Sequence, residues 1–489
     1  MADLIVVGLD FGTHQTKICI RRTPDEGHGE SSYEFFKFYD LSGQSTYFLP
    51  SIVQINNDDT LSYGFIDKSR KKEAATKPYM DSVKLEEDFD IDDTIDYLYD
   101  KYAKNNNGEE DKKVLREMLQ IRKERIDNIN KKRIADAKYK YEKDLKHFKH
   151  NSNLYRYFKQ ATFSQLEWNS SISSRYFCIW FLAYVIFLLE KEFGTSFSIN
   201  IGVPTDDTTF ECKKKLAVEV LASAYYLVED VYHNNMNDFL NEKLDTLKTN
   251  TKRIVYSDEI KNTYEINVFP EAYASLISLT SKGKISGGSM NLNADIGGGT
   301  TDISFFTVPY DKNDKPIIYR YWSLPYGLNY LAEQSHFDYS DGNFIKDVDK
   351  RVIKEYRNSI ESLINKLKED LKRQLRELTT IPTSELKKAL SDRVIIYNGG
   401  GSTYSLLTNP ILNFNDVKLL TANIWKEENI VDKEKVGEMC SLLATSYGLS
   451  LGINDTDVKL GDFTTLFYGL HGPEQDSDFD KFFISKDMC

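Results

Sequence analysis

The chain opens with an unbroken apolar run, Leu4 to Leu9, which reads as a strand buried on both faces. It reaches Asp10-Phe11-Gly12-Thr13-His14-Gln15-Thr16-Lys17, and a second strand resumes over Ile18 to Arg21. The same pattern returns much later. A strand through Asn293 ends at Asp295-Ile296-Gly297-Gly298-Gly299-Thr300-Thr301-Asp302, and Ile303 and Phe305 alternate into the next strand. Further strands are expected over Tyr33 to Tyr39, Tyr47 to Ile55, Phe197 to Val203, Arg253 to Ser257, Tyr264 to Phe269 and Val394 to Tyr397. Helices fill the stretch up to about Lys248, most of Leu328 to Leu378 and, last, Val436 to Leu451. Another starts at Pro270-Glu271, with a proline and an acid in its first turn. Strands alternating with helices, and glycine turns at strand ends, give an α/β fold with ligands at the carboxyl ends of the strands.

The longest apolar run, Cys178 to Leu189, is too short to cross a bilayer. A cap at Ser173-Ser174 and a stop at Gly194 make it a buried core helix. From Asp88 to His150 the character changes: Lys112 to Lys149 favours helix, mixes both charges and spaces its apolar residues unevenly. Forty helical residues would reach roughly 60 Å, so a helical arm or a hairpin of two helices is expected. Such an arm is a solvated surface laced with ion pairs, a docking element for a protein partner or, less favoured, a nucleic-acid contact.

At 489 residues the chain exceeds one ordinary core. A net charge of −12 argues against a general nucleic-acid binder. Five scattered cysteines, with no C-x-x-C and no His/Cys cluster, argue against structural zinc and a disulfide framework and fit a reducing compartment. No basic leader precedes the first strand, so a soluble, cytoplasmic protein with no membrane contact is expected.

Three consecutive glycines weaken an element interior, so a close backbone approach has to need them. The amides of Gly297, Gly298 and Gly299 would face phosphate oxygens, Asp295 a hard cation or its water, and Thr300 the terminal phosphate. A hairpin with a glycine bulge is the plainer explanation of that string alone. The echo at Asp10 and a third glycine turn, Asn398-Gly399-Gly400-Gly401-Ser402-Thr403 before an expected helix, favour a nucleotide held between two hairpins and a turn. No G-x-x-x-x-G-K-[ST] occurs, which excludes a P-loop.

Together these residues resemble the actin, sugar-kinase and seventy-kilodalton heat-shock superfamily of ATPases, most nearly the nucleotide-binding domain of the heat-shock chaperones. Asp10-Phe11-Gly12-Thr13 resembles its first phosphate motif, Asp295 to Asp302 its second, and Gly400-Gly401-Ser402-Thr403 its adenosine motif. Pro270-Glu271-Ala272 and Ala444 to Leu449 are similar to its two connecting helices. The resemblance implies a two-lobed actin-like fold of duplicated ribonuclease-H-like domains with a helical insertion. The first lobe would span 1–205, with the arm at 88–150, completed by a connecting region over 206–290. The second would span 291–453 with a reduced adenine-side part, followed by an acidic tail over 454–489.

The resemblance also implies ATP or ADP with Mg2+, and slow, partner-regulated hydrolysis. Lys84, in Asp81-Ser82-Val83-Lys84-Leu85, would reach the terminal phosphate and the attacking water. Glu271 would order magnesium's water shell, Asp10 and Asp295 would bracket the metal, and Thr300 would contact the γ-phosphate. Gly12, Thr13, His14, Gln15, Lys17, Gly297, Gly298, Gly299, Thr301, Gly399, Gly400, Gly401, Ser402 and Tyr404 would complete the nucleotide site. Plainer alternatives stand beside these roles: Lys84 as a solvated lysine, Glu271 as a helix-start acid, His14 as a turn residue, and Lys17 paired with a carboxylate across the sheet.

The chain also departs from the chaperones. His14-Gln15 stand where small hydroxyl and aromatic residues are usual, and Lys17 follows Asp10 at a spacing similar to actins and sugar kinases. Tyr404 replaces an arginine beside the adenine, and the short segment before the adenosine motif leaves Lys366, Lys368 and Arg373 as candidates for the base. Too little chain follows Leu451 for a peptide-binding β-sandwich and lid. The expectation is a heat-shock-like ATPase switch without that domain, acting on protein partners through the arm or tail. The alternative is an actin-like filament-forming ATPase of plasmid-segregation or cytoskeletal type, with self-assembly in place of a client. A small-molecule kinase lacks a candidate general base, and a nucleotide-binding scaffold without turnover is the fourth reading.

Overall fold

The computed structural model describes residues 3–24, 30–70, 83–102, 108–146, 153–163, 168, 170–204, 209–254, 264, 266–280, 290–307, 317–334, 348–378, 394–408, 416–419, 425, 429–451 and 459–460. They fall into two compact units, one made of residues 1–72 and 153–489, the other of residues 73–152.

Two sheets organise the first unit. In one, β1 (Leu4–Phe11) turns back into β2 (Gln15–Thr23) and then β3 (Ser32–Phe35), while β4 (Ser198–Val203) and β5 (Ile266–Pro270) lie parallel to β1 on its other side. In the other, β6 (Met290–Ile296) turns back into β7 (Thr301–Thr307) and β8 (Ile317–Leu324), with β9 (Val394–Asn398) and β10 (Asp416–Leu419) parallel to it. A short β11 (Lys459–Leu460) adds to the β8 edge. Apart from β11 and a two-residue strand beside β2, the sheets share one order and one sense. Each central strand runs through an aspartate into a tight hairpin.

Helices cover the sheets. α1 (Phe158–Phe163), α2 (Ser174–Phe193) and α3 (Phe210–Tyr226) bury Phe158, Phe177, Phe181 and Leu221 with Val7, Leu9 and Phe11 of β1. Burial on both faces is why β1 reads as an unbroken apolar run. α2 extends beyond Cys178 to Leu189 at both ends and stops at Gly194, whose φ of 72° and amide bond to the Glu190 carbonyl close the last turn. α5 (Lys350–Leu378) lays Tyr356, Ile360, Ile364 and Leu367 on the second sheet.

A third cluster joins α4 (Glu271–Thr280) and α6 (Cys440–Ser450) to residues of both sheets, among them Phe269, Phe306 and Ile396. The two helices meet backbone to backbone: a Cβ on Gly448 would lie 1.8 Å from the Ala274 carbonyl oxygen. The last carbonyls of α6 are taken up from the first sheet, Leu449 by Asn200 Nδ2 at 2.7 Å and Leu451 by Arg21 Nη1 at 2.9 Å.

Four expectations are corrected. Arg253 ends the helix Leu244–Arg253 instead of starting a strand, and residues 255–263 lie outside the described ones. Burial decides there, because Leu247 and Thr251 are buried and Trp180 Nε1 donates to the Thr251 hydroxyl at 2.8 Å. The glycines after Tyr397 open only a 3-10 turn, Gly400–Thr403, rather than a helix. The last helix is broken in two, Lys433–Gly437 and α6. β11 falls inside the segment read as a tail, whose residues 461–489 lie outside the described ones.

Among the described residues of the second unit are two helices, Ile91–Tyr102 and Gly108–Lys146. The latter's 39 residues give about 58 Å. Ile95 and Leu119 are buried, whereas Val114, Met118 and Ile121 stay in water. Asp90 caps the shorter helix through the Asp92 and Asp93 amides, and ion pairs Arg116–Asp92 and Arg133–Glu86 tie the unit together. Among the described residues no helix is long and apolar enough to cross a membrane.

Candidate functional site

The hairpins that end β1 and β6 meet. At Gly298 an ideal Cβ would stand 2.0 Å from His14 Cδ2, so only a glycine lets the two turns touch. Ser51 fixes the first hairpin, its amide donating to the His14 carbonyl at 2.8 Å and its hydroxyl to the Gly12 carbonyl at 2.7 Å. The second closes on itself, Gly297 N–H to the Thr300 carbonyl at 2.9 Å, and is backed by Leu328 and Asn329 amides donating to the carbonyls of Gly297 and Gly298. Gly399, at φ 74°, brings the third turn against Asp295, leaving no room for a Cβ there. Between these turns lies an open cleft of about 680 Å³, with the solvent at its mouth included.

β1 and β6 end alike, but the residues across from them differ. Asp10 faces Lys17, whose ammonium donates to Asp10 Oδ2 at 2.7 Å. Asp295 faces a second acid, Asp302. From α1, Lys159 donates to Glu271 Oε1 at 2.5 Å, both side chains buried. Four carboxylates thus share the cleft with two lysines. Burial, then Asp302, Asp10 and Glu271, push Asp295 up to about 8 against the opposing pull of Lys17. Burial also raises Glu271, with Lys159 opposing and Asp10 and Asp302 adding to the rise. Asp302 is raised by burial too, partly offset by hydroxyls of Ser323 and Thr300. The Lys17 ammonium is strengthened: burial works against it, but the charge and hydrogen bond of Asp10, with Asp295 and Glu271, outweigh that. His14 is pushed down to about 3 by burial, Arg156 and Lys17, so its imidazole is neutral at pH 7.

The cleft brings together Asp10, Gly12, Thr13, His14, Gln15, Lys17, Glu271, Asp295, Gly297, Gly298, Gly299, Thr300, Gly399 and Gly400. Thr301 turns away from it, its hydroxyl bonded to the Tyr326 carbonyl and the Tyr356 hydroxyl. Gly401 packs on Ile296, Ser402 bonds back to the Gly399 carbonyl, and Tyr404 packs on the second sheet's core. Lys366 stacks over Trp322 at 4.8 Å, Arg373 pairs with Asp370, and Lys368 is half-buried. Lys84 belongs to the second unit, where it is exposed and its carbonyl accepts from Arg133.

Sequence reasoning passed over Lys159, Ser441, Leu442 and Thr445, and gave no role to Asp302. Asp302 and Thr445 sat inside quoted motifs and could have been found there. Lys159 lies on a six-residue helix with no periodic signal.

No family model and no curated protein sequence matches the chain. Among solved structures it is similar to a pCBH ParM non-polymerisable quadruple mutant, at 13% identity and a TM-score of 0.36, over 91% of this chain and 98% of that one. A likeness that slight adds no weight to the topology described above.

Proposed function

We propose that the cleft binds ATP with Mg2+ and hydrolyses the terminal phosphate, in a fold of the actin-like ATPase superfamily. The supporting observation is the meeting of two topologically matched glycine hairpins over buried carboxylates and lysines. Phosphoryl transfer asks the protein mainly for positioning and charge neutralisation. Backbone amides of Gly298, Gly299 and Thr300 would supply donors for phosphate oxygens, that of Gly297 being taken by the Thr300 carbonyl. Lys17, paired with Asp10, and Lys159, paired with Glu271, supply fixed positive charge.

The role that resemblance gave Lys84 passes in this reading to Lys159, which holds Glu271 in place. Glu271, raised by burial, is suited to take a proton from water near neutral pH. The residues fit a magnesium ion. Their donors are hard oxygens, and Asp10, Glu271, Asp295 and Asp302 line one cleft. Among the described residues no three His, Cys, Asp or Glu converge to cage a metal. Asp10, Asp295 and Glu271 would therefore hold it through water and phosphate oxygens. When bound, Mg2+ would neutralise charge on the phosphate oxygens.

Phosphate release from ATP by the purified chain, compared with a Lys159→Ala variant, tests the reading. Loss of turnover with ATP binding retained is expected. A wild-type chain that shows no saturable ATP binding in the presence of Mg2+ would sink it.

Lys17, at actin-like spacing and now found in the cleft, favours the filament-forming use of this cycle over the heat-shock-like switch. Sedimentation with and without ATP separates them. ATP-dependent pelleting is expected of the filament, and its absence alongside partner-stimulated nucleotide release of the switch.

A further inference from the structure

Beside Lys159, α1 carries a second buried polar side chain that the chemistry above leaves unused. Gln160 is 2% exposed. Its amide nitrogen donates to the Gly299 carbonyl at 2.9 Å and, more weakly, to the Pro325 carbonyl at 3.4 Å. Its oxygen accepts from Asn329 Nδ2 at 3.2 Å. The flanking Phe158 and Phe163 are anchored in the first sheet's core, whereas Gly299 lies in the turn between β6 and β7, Pro325 follows β8, and Asn329 is near the start of the helix Leu328–Gln334 that comes next. Gln160 therefore bridges from one sheet's side to the other's phosphate turn.

In a trans peptide the C=O of one residue and the N–H of the next point in opposite directions. Holding the carbonyl of each glycine in this turn thus aims the following amide. The Gly297 and Gly298 carbonyls are held from within the second sheet's own side, by the amides of Leu328 and Asn329. The Gly299 carbonyl accepts from Gln160, which comes from across the cleft. The peptide so fixed is the one whose N–H belongs to Thr300, a residue lining the cleft.

We propose that Gln160 is a positioning residue that aims the Thr300 amide at the terminal phosphate, with Asn329 holding Gln160 in place. The third donor of the turn is then correctly set only when α1 and the second hairpin are docked, so grip on the terminal phosphate is coupled to closure of the cleft. This rests on the nucleotide reading above and names the device by which ATP would be told from ADP.

The test is calorimetric titration of wild type, Gln160→Leu and Asn329→Leu with ADP and with a non-hydrolysable ATP analogue, all with Mg2+. Gln160→Leu is expected to weaken the ATP analogue by about tenfold, the scale of one buried hydrogen bond, while ADP binding changes little. Asn329→Leu keeps its backbone bond to Gly298 and is expected to move the ATP-to-ADP ratio the same way by a smaller factor. The double variant should be no worse than Gln160→Leu alone. Equal weakening of both nucleotides, or an unchanged ratio, overturns the proposal, and Asn329→Leu carries the test if Gln160→Leu does not fold. A wild-type chain that binds neither nucleotide overturns the nucleotide reading and this inference with it. Wild-type binding with an unmoved ratio in the variants overturns the inference alone.

Discussion

A methyl group placed on Gly298 must occupy space that the His14 ring already fills. Its ideal position is 2.0 Å from Cδ2, 2.9 Å from Cγ and 3.1 Å from Nε2. His14 has little freedom to yield, since it is half-buried between the two turns and Tyr157 stands edge-on to it at 5.1 Å. Either the ring leaves its place or the hairpins separate by roughly 1.5 Å, and overpacking of this kind costs about 1–3 kcal/mol. Gly298→Ala is therefore expected to lower stability by that amount, read as a shift in urea midpoint at unchanged slope. His14→Ala removes the obstacle. If the hairpins touch as described, the double variant is no less stable than His14→Ala alone, and nearly the whole cost of Gly298→Ala appears as coupling between the two sites. Costs that simply add would show that the two turns do not meet, and would refute the joint cleft on which the functional reading depends.

Other consequences follow from the buried charges. Asp295, raised from 3.8 to about 8, is mostly protonated at neutral pH and has to ionise to serve a cation. Binding of Mg2+ with ATP at pH 7 should then release protons, seen as a heat that depends on the buffer's ionisation enthalpy; a buffer-independent heat would contradict this. Without ligand, the stability this carboxyl confers is full below about pH 4 and lost as pH rises through about 8. Wild type should melt lower at about pH 8.5 than at about pH 6, and Asp295→Asn should flatten that slope. Lys159→Met leaves Glu271 buried without its partner, a loss of about 3–5 kcal/mol by precedent for broken buried pairs. A thermal midpoint unchanged by Lys159→Met would mean that the pair is not buried as described.

Much of the site was legible because its signals are local. An aspartate at the end of an apolar strand, followed by glycines, marks its place without any neighbour, and so Asp10, Asp295 and Gly399 were found together. Lys17 was weighed as a phosphate ligand and as a cross-strand partner, and the register of β1 with β2 sets it opposite Asp10. Lys159 and Gln160 were illegible for the opposite reason. The inserted unit of residues 73–152 separates them from the first hairpin in the chain, and six helical residues carry no periodicity to announce a role. Lys84 was chosen on a short local match, and it falls in the unit of residues 73–152. Arg253 failed because burial of Leu247 and Thr251 outweighs the β preference of the residues that follow.

The contact between Gly448 of α6 and the Ala274 carbonyl of α4 bears on mechanics. Side chains interlocked between two helices act as teeth, and turning one helix on the other means every tooth must find a new slot. Here two bare backbones lie against each other, and the cluster around them draws on both sheets. A joint of that kind has no slack at its centre: a single added methyl at Gly448 would force α6 away from α4. Because α6 also carries Ser441, Leu442 and Thr445 into the cleft, the displacement would be felt there although no cleft residue had been changed.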